Sequence, residues 1–350
     1  MKIEKRFLAT LNRCYSCNSI EVDGQTRILL ATEGEGACLA WSAPDYTRSH
    51  AVWEGPGGTM SIVPIPGTNG EFLAVQKFFR MFDWEEAKVV HVRPLPGEKY
   101  EVTDILHLPY IHRFDLLTVG GRHYFIGCTL ATTKAAKDDW SNPGKIWVGE
   151  YTGPGPLQVR VLKDGLTKNH GYSRLVQDGV MRGLVTCDEG AFEVTPPQAP
   201  DGDWQVRQFM DWPISDISAL DIDGDGELEF ATIEAFHGEY FRIYKRIDGR
   251  FVQVFEHPEV TEFYHVVVGA TLAGEPVFIG GCRRGRQQLF YVRTRQKAPL
   301  ELEAVLIEEG VGPSNAYVLH EPGRDILVAA NREKAEAALY FVTPDRKSVV

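Results

Sequence analysis

The sequence of 350 residues lacks the features of several broad protein classes. It has no run of about 18 apolar residues, the length that a membrane-spanning helix needs. Its first residues, MKIEKRF, include no apolar stretch typical of a secretion signal. Six cysteines are too few for a disulfide scaffold in a chain of this length. We therefore expect a cytoplasmic protein with reduced thiols and no membrane partner.

An excess of basic charge is also missing. The chain has 37 Lys and Arg against 48 Asp and Glu, which gives a net charge of −11. Such a surface repels phosphate backbones, so we expect no nucleic-acid partner. Phosphate-binding loops, dinucleotide-binding glycine motifs and the G-x-S-x-G motif of serine hydrolases are absent from the sequence as well.

A short unit recurs seven times along the chain instead. It consists of a turn that contains glycine, one or two polar residues and then an apolar run. The turn glycines are Gly24, Gly70, Gly121, Gly179, Gly226, Gly274 and Gly323. Their spacing is roughly 46 to 58 residues, which is typical of four-stranded propeller blades. The repeat thus predicts an all-β fold.

The seven units predict one domain, a seven-bladed β-propeller. The predicted blades are residues 12–55, 56–108, 109–167, 168–213, 214–260, 261–311, and 312–350 together with 1–11. The last unit lacks an outer strand, and the segment 5–11 would supply it. The ring would then close by pairing the N- and C-terminal strands, which removes exposed sheet edges. Two β-sandwiches are the alternative, and the regular turn spacing argues against them.

The fifth unit carries an acidic loop, DIDGDGELE, in which carboxylates alternate with other residues. Hard Ca²⁺ takes six to eight oxygen ligands, and alternate residues of a tight loop can present them. The candidate calcium-binding residues are Asp221, Asp223, Asp225, Glu227 through its carbonyl, and Glu229. Thr232 stands where an EF-hand requires glutamate, so the loop is not an EF-hand.

This loop resembles the D-x-D-G-D-G-x-x-D/E signature of the FG-GAP/VCBS propeller repeats. The resemblance implies that Ca²⁺ binds between the first two strands of the fifth blade. The other six turns lack the aspartates, so we expect one structural ion and no array of ions. The alternative is an acidic turn that holds no ion.

Alignment of the units places seven residues in one column, at the starts of the innermost strands. They are Cys17, Thr59, His112, His170, Asp216, His265 and Asn315. Imidazoles with a carboxylate are usual ligands of zinc, manganese or iron. We therefore expect His112, His170, His265 and Asp216 to bind one of these metals, or magnesium, in the central channel. Polar residues that line a wet channel are the alternative.

The loops between second and third strands form a charged rim at the same end of the channel. From these loops and the column, the candidate substrate-binding residues are Lys77, Tyr172, Arg283 and Asn315. The longest insertion, TTKAAKDDWSNPGK, could place Trp140 as a lid. Mixed charges with aromatic rings suit a polyhydroxylated or carboxylated small molecule. An ordinary solvated rim remains the alternative.

These features favour a metal-dependent enzyme that acts on a sugar or sugar acid at the channel mouth. A metal would polarise a carbonyl or carboxylate, and His237 or Lys134 would remove the adjacent proton, which is β-elimination. The layout is similar to that of the propeller domain of the aldos-2-ulose dehydratases, so a lyase or dehydratase is expected. Hydrolysis by the same metal stays open.

A second hypothesis is a propeller without catalytic activity. FG-GAP/VCBS propellers often serve in adhesion or lectin-like recognition, so the resemblance also implies a calcium-stabilised module that binds carbohydrate or a protein partner. Metal content separates the two hypotheses, because only the first requires a transition metal at the histidines.

Overall fold

The computed structural model describes residues 1–78, 84–199 and 201–345, so the end of the last predicted blade, residues 346–350, lies outside it. Over these ranges the chain forms strands and no helix. The strands pair into seven four-stranded sheets, the blades of a seven-bladed β-propeller arranged in a ring. The predicted fold class is confirmed. Among the described residues, no helix is long and apolar enough to cross a lipid bilayer.

The first four blades lie mostly in one compact unit, residues Asn18–Ser215. Blade 1 contains β2 (Cys14–Val22), β3 (Gln25–Thr32), β4 (Cys38–Ser42) and β5 (Ser49–Trp53). Blade 2 contains β6 (Ile62–Pro64), β7 (Phe72–Gln76), β8 (Lys88–Leu95) and β9 (Lys99–His107). Blade 3 contains β10 (Ile111–Val119), β11 (Arg122–Ala131), β12 (Pro143–Tyr151) and β13 (Arg160–Leu166). Blade 4 contains β14 (Gly171–Gln177), β15 (Val180–Cys187), β16 (Gly190–Thr195) and β17 (Gln205–Met210).

The other three blades lie in a second unit, Met1–Cys17 with Asp216–Val350. Blade 5 contains β18 (Asp216–Leu220), β19 (Glu229–Glu234), β20 (Tyr240–Ile247) and β21 (Arg250–Glu256). Blade 6 contains β22 (Tyr264–Leu272), β23 (Glu275–Cys282), β24 (Leu289–Gln296) and β25 (Glu301–Glu308). Blade 7 contains β26 (Asn315–Glu321), β27 (Arg324–Asn331), β28 (Glu336–Thr343) and β1 (Lys2–Thr10).

The repeated turn glycines join the first and second strands of the blades. All seven have positive φ, from +73° at Gly24 to +95° at Gly226. In the turn between β22 and β23, Ala273 and Gly274 both have positive φ, and Leu272 pairs with Glu275. That is a two-residue type I′ hairpin, whose twist matches the twist of the strands it joins. The glycine pattern therefore marks the backbone conformation that each blade requires.

The core consists of the apolar faces between neighbouring blades. Alternate residues of the strands point into these layers, because successive side chains of a strand face opposite sides of the sheet. Between blades 1 and 2, Leu29, Ala40, Phe72 and Val90 are completely buried. Between blades 5 and 6, the rings of Phe241 and Phe290 pack edge to face, 5.2 Å between centroids. These layers hold the inner strand ends in fixed positions.

Blade 7 is completed by the N-terminal strand, as the sequence predicts. Strand β1 pairs antiparallel with β28, from Lys2 opposite Thr343 to Thr10 opposite Glu336. The predicted segment, residues 5–11, differs from the observed strand by a few residues at its start. Lys5 also forms ion pairs with Glu308 at 2.8 Å and Glu336 at 2.6 Å. The backbone hydrogen bonds between β1 and β28 and the ion pairs of Lys5 thus hold the two ends of the chain together.

The inter-blade core makes a direct prediction for stability. Phe241→Ala is expected to lower the free energy of unfolding by about 3–5 kcal/mol, because it leaves a cavity against Tyr264 and Phe290. Phe7→Ala is the control, since this ring is 56% exposed, and should change it by less than about 0.5 kcal/mol. Urea unfolding followed by tryptophan fluorescence measures both. Equal losses would contradict this description of the core.

Candidate functional site

Five of the seven residues of the predicted column lie at or directly before the starts of the first strands, whereas Cys17 is the fourth residue of β2 and Thr59 lies three residues before β6. His112 and His265 are the second residues of β10 and β22, and His170 directly precedes β14. All three are buried, as are Thr59 and Asp216, whereas Cys17 and Asn315 are half-buried. Burial of polar side chains costs free energy unless they are hydrogen-bonded. Buried polar side chains at these strand starts therefore mark candidate functional residues in each of the two units.

Two of the histidines sit at irregularities of the strand pairing. In blade 3 the register shifts between Ile111 and Arg113, on either side of His112. In blade 6 it shifts between Tyr264 and Val266, on either side of His265. A bulge of this kind redirects one side chain and is common beside active sites. The same irregularity occurs at equivalent places in blades 3 and 6. It lets both imidazoles depart from the regular alternation of side chains between the two faces of the sheet.

In the unit of blades 1–4, His112 and His170 form a close pair. Their ring centroids are 4.5 Å apart, with an angle of 34° between the planes. The Nδ1 atom of His170 lies 3.4 Å from the Ser215 hydroxyl. The structure thus brings two of the predicted metal ligands together within this unit.

Aromatic rings lie beside this histidine pair. Phe78 contacts His112 edge to face at 5.2 Å and stacks on Trp84 at 4.6 Å. Trp84 in turn contacts Tyr110 at 5.8 Å. Stacked aromatic faces exclude water and can bind the apolar faces of planar or sugar-like molecules.

The candidate base Lys134 is buried in the insertion of blade 3. Its Nζ atom lies 3.2 Å above the ring of Trp140, and among the described residues it has no hydrogen-bond partner. Burial lowers the pKa of Lys134, although the nearby carboxylates of Asp139 and Asp138 act in the opposite direction. A lysine amine in such an environment loses its proton more easily than a surface lysine. Trp140 covers this amine, and its role as a lid over the channel stays a prediction.

In the unit of blades 5–7, His237 and His265 form a second pair. Their rings are stacked with centroids 5.4 Å apart, and Phe263 lies 4.4 Å from His237. His237 follows β19 and has a φ of +50°, a conformation that few non-glycine residues adopt. Unusual backbone at a loop residue often accompanies function. His237 thus lies beside a predicted metal ligand.

The orientation of His265 is set by its hydrogen bonds. Its Nδ1 atom is 2.6 Å from the carbonyl oxygen of Ser314, which can only accept, so Nδ1 carries the proton. The Nε2 atom is 3.3 Å from the Tyr15 hydroxyl. A carbonyl on one nitrogen fixes the tautomer in which the other nitrogen can bind a metal. The donor chemistry of His265 therefore fits a metal ligand.

The four predicted substrate-binding residues each have a partner of their own, and three of the four partners belong to a neighbouring blade. Lys77 pairs with Glu86 at 3.0 Å, and the Tyr172 hydroxyl donates to Asp115 at 2.8 Å. Arg283 donates to Glu333 at 2.8 Å, and Asn315 donates to the Tyr15 carbonyl at 2.9 Å. Each of these groups has a protein partner that a ligand would have to replace or share. Their role in binding substrate stays a prediction, as does that of Asp216 in binding metal.

The sequence interpretation missed the residues that orient His265. Tyr15 is buried and belongs to the CYSC segment, a lone C-x-x-C that is weak evidence for a metal or redox site. Ser314 directly precedes the column residue Asn315, but it acts through its main-chain carbonyl, which no side-chain pattern can reveal. Tyr15 shares a strand face with Cys17, and this period-two relation was the one available signal.

The acidic loop of blade 5 has the expected convergence of carboxylates. One oxygen from each of Asp221, Asp223 and Asp225 lies within 4.8 Å of the others. The ammonium of Lys245 is bonded to Asp223 and to Glu229, at 2.7 and 2.6 Å. Burial lowers the pKa of Lys245, but these hydrogen bonds outweigh it and hold the pKa above its usual range. In this arrangement the lysine occupies the space between the carboxylates, and calcium binding stays a prediction.

The tautomer of His265 gives a test of the site geometry. Nitrogen-15 correlation spectra should show the Nδ1 atom of His265 protonated, because only a donor can face the Ser314 carbonyl. His107 is an internal control with the opposite pattern, since its Nε2 atom lies 2.9 Å from the Glu85 carbonyl. A His265 ring protonated at Nε2 alone would contradict the geometry.

Comparisons with known proteins support the fold. No family model matches the chain, and no curated protein matches it either. Among solved structures 585 chains match. One is the structure of a streptogramin B lyase, with a TM-score of 0.56, 13% sequence identity and coverage of 98% of both chains. At this identity the likeness shows the fold alone: the chain is a β-propeller with a lyase among its structural neighbours.

Proposed function

We propose that this chain is a metal-dependent lyase that acts on a sugar or sugar acid at the channel mouth. The proposed ligands come from His112, His170, His265 and His237, with Asp216 as the carboxylate. The carrying observation is that each unit has a close pair of histidine rings. His112 and His170, 4.5 Å apart, both lie at the starts of first strands, and His265, at the start of another, lies 5.4 Å from His237 in the loop after β19. In a ring of blades, first strands surround one channel.

The chemistry of the donors supports a transition metal more than magnesium, which prefers oxygen ligands. Neutral imidazole nitrogens suit zinc, manganese and iron, and a His265 ring with its proton on Nδ1 offers Nε2 as a ligand. His237 stacks on His265, so in our proposal it joins the ligands and is no longer the base. When bound, the metal would supply a positive charge that stabilises the enolate of a carbonyl or carboxylate.

Lys134 is then the proposed base. Its buried amine, with a lowered pKa, can take the proton α to the carboxylate. The C–H electron pair forms a carbon–carbon double bond, and the β-oxygen leaves and takes a proton from water. Trp140 would cover the substrate during this step, because its ring already lies over the amine.

Two resemblances agree with this class of reaction without fixing it. A structural neighbour is named as a streptogramin B lyase. The resemblance of the layout to the aldos-2-ulose dehydratase propeller rests on the sequence and belongs to the proposal. We keep membership of the FG-GAP/VCBS group, a carbohydrate substrate and a cytoplasmic location within the proposal, since they rest on the sequence alone.

Metal analysis tests the ligand set. Protein reconstituted with zinc, manganese or iron and then desalted should retain about one metal ion per chain. His265→Ala or His170→Ala should reduce this to below about one tenth, because a lost ligand weakens a metal site strongly.

His320→Ala is the matched control, because this imidazole is exposed and pairs with Asp325 on blade 7. It should retain the metal. Wild-type protein that binds none of these metals, or His265→Ala protein that binds them fully, would contradict the proposal.

A second prediction concerns the base. Lys134→Met should lower kcat by about 10²–10⁴-fold on any substrate found in a panel of sugar acids and uronic-acid oligosaccharides, while metal content stays unchanged. Formation of the conjugated double bond is followed by ultraviolet absorbance. Activity should rise with pH as Lys134 loses its proton, and its lowered pKa moves this rise below that of an ordinary lysine.

Lys137→Met is the control for this variant, since Lys137 lies exposed in the same insertion. It should retain full activity. Equal losses in the two variants would show that the insertion as a whole matters and that Lys134 is not the base.

A binding module without catalysis remains the second candidate. The stacked Phe78 and Trp84 rings favour it, because aromatic platforms bind sugar faces without chemistry. Saturable binding of an unchanged oligosaccharide by protein free of transition metal would support this candidate over the lyase.

A further inference from the structure

The acidic loop of blade 5 surrounds a lysine. Lys245 lies on β20, and its Nζ atom is 2.7 Å from Asp223, 2.7 Å from Asp225 and 2.6 Å from Glu229. The Glu229 side chain is completely buried, and those of Asp223 and Lys245 are 5% and 14% exposed. An ammonium has three N–H donors, so each donor faces one carboxylate.

The other oxygens of the loop are held by the backbone. Both carboxylate oxygens of Asp221 accept amide hydrogens, from Gly224, Asp225 and Gly226. The second oxygen of Glu229 accepts from the amide of Ile222 at 2.9 Å. One oxygen of Asp223 accepts from the Asp225 amide, and one oxygen of Asp225 accepts from the Glu227 amide. These bonds shape the loop and leave one oxygen each of Asp223, Asp225 and Glu229 directed at the ammonium.

The position of Lys245 is fixed by strand register. In the ladder between β19 and β20, Lys245 stands directly opposite Glu229. Directly opposed residues point to the same face of a sheet, so the lysine side chain must run alongside that of Glu229. A shift of one residue would turn it to the other face, which makes the arrangement a property of the blade.

Charge balance explains why this position needs a cation. Three carboxylates around a buried point repel one another, and an unpaired buried charge is strongly destabilising. A calcium ion would relieve the repulsion, but it needs six or more oxygens at 2.3–2.6 Å around one centre. The ammonium already stands among the oxygens that such an ion would use, and both cannot be there together.

We propose that Lys245 is the cation of this loop in place of a calcium ion, so that blade 5 folds independently of Ca²⁺. This inference opposes the calcium expectation from the sequence and is separate from the proposed lyase activity. The loop would be a calcium-type loop whose metal has been replaced by a side chain from the neighbouring strand.

Thermal unfolding with calcium chloride or with EDTA tests the proposal. The wild-type Tm should be the same in both conditions, and calorimetric titration with Ca²⁺ should show no binding. Lys245→Met removes the ammonium and keeps most of the stem. Its Tm should fall in EDTA, and millimolar Ca²⁺ should raise it again by at least about 3 °C.

Lys88→Met is the matched control, because Lys88 pairs across strands with the single exposed carboxylate of Asp104. It should respond to neither Ca²⁺ nor EDTA. If Lys245→Met does not fold, Lys245→Gln is a milder variant for the same measurement. The calorimetric titration of the wild-type protein with Ca²⁺ tests the proposal without any variant.

Three outcomes would overturn the proposal. The first is a wild-type Tm that rises with Ca²⁺. The second is a Lys245→Met protein as stable as wild type in EDTA, and the third is a destabilised variant that Ca²⁺ does not restore.

Discussion

The fold depends on the pairing of the two ends of the chain. Strand β1 supplies the outer strand of blade 7 by antiparallel pairing with β28. Without it, β28 would present an unpaired edge, which favours aggregation. Side chains add to the ladder: Lys5 bridges Glu308 and Glu336, and the Tyr340 hydroxyl donates to Glu308 at 2.6 Å. Because blade 7 is complete, the inner strand of that blade can present Asn315 and the Ser314 carbonyl in fixed positions, and this carbonyl orients His265.

Much of this fold could be predicted from the sequence because its strongest signal is local. The turn glycines are needed wherever two strands of a blade meet at positive φ, so their spacing counts the blades. The role of β1 in blade 7 could be predicted because the last repeat of the sequence lacks one strand. The exact bounds of strands are harder to predict. Strand β1 begins at Lys2 and not at residue 5, because its length is set by pairing with β28, more than 300 residues away in the sequence.

The candidate site was only partly predictable. His112, His170 and His265 could be found by aligning repeats, and His237 by its place in a loop. The bulges that redirect His112 and His265 depend on register with the second strand and have no local signature. The carbonyl of Ser314 acts through the backbone. Lys245 was missed for a similar reason: its place opposite Glu229 is a cross-strand relation, whereas the acidic motif describes one segment. The local motif therefore suggested an ion where the sheet supplies an ammonium.

The central claim is that the histidines at the inner strand ends bind one metal ion. Anomalous diffraction from crystals grown with zinc, manganese or iron, recorded on both sides of the absorption edge of that metal, tests it most directly. The account predicts one strong peak within coordination distance of the Nε2 atom of His265, with at least two further imidazoles around it. Crystals with no anomalous peak at these histidines, and with His265 Nε2 bonded only to Tyr15, would contradict it.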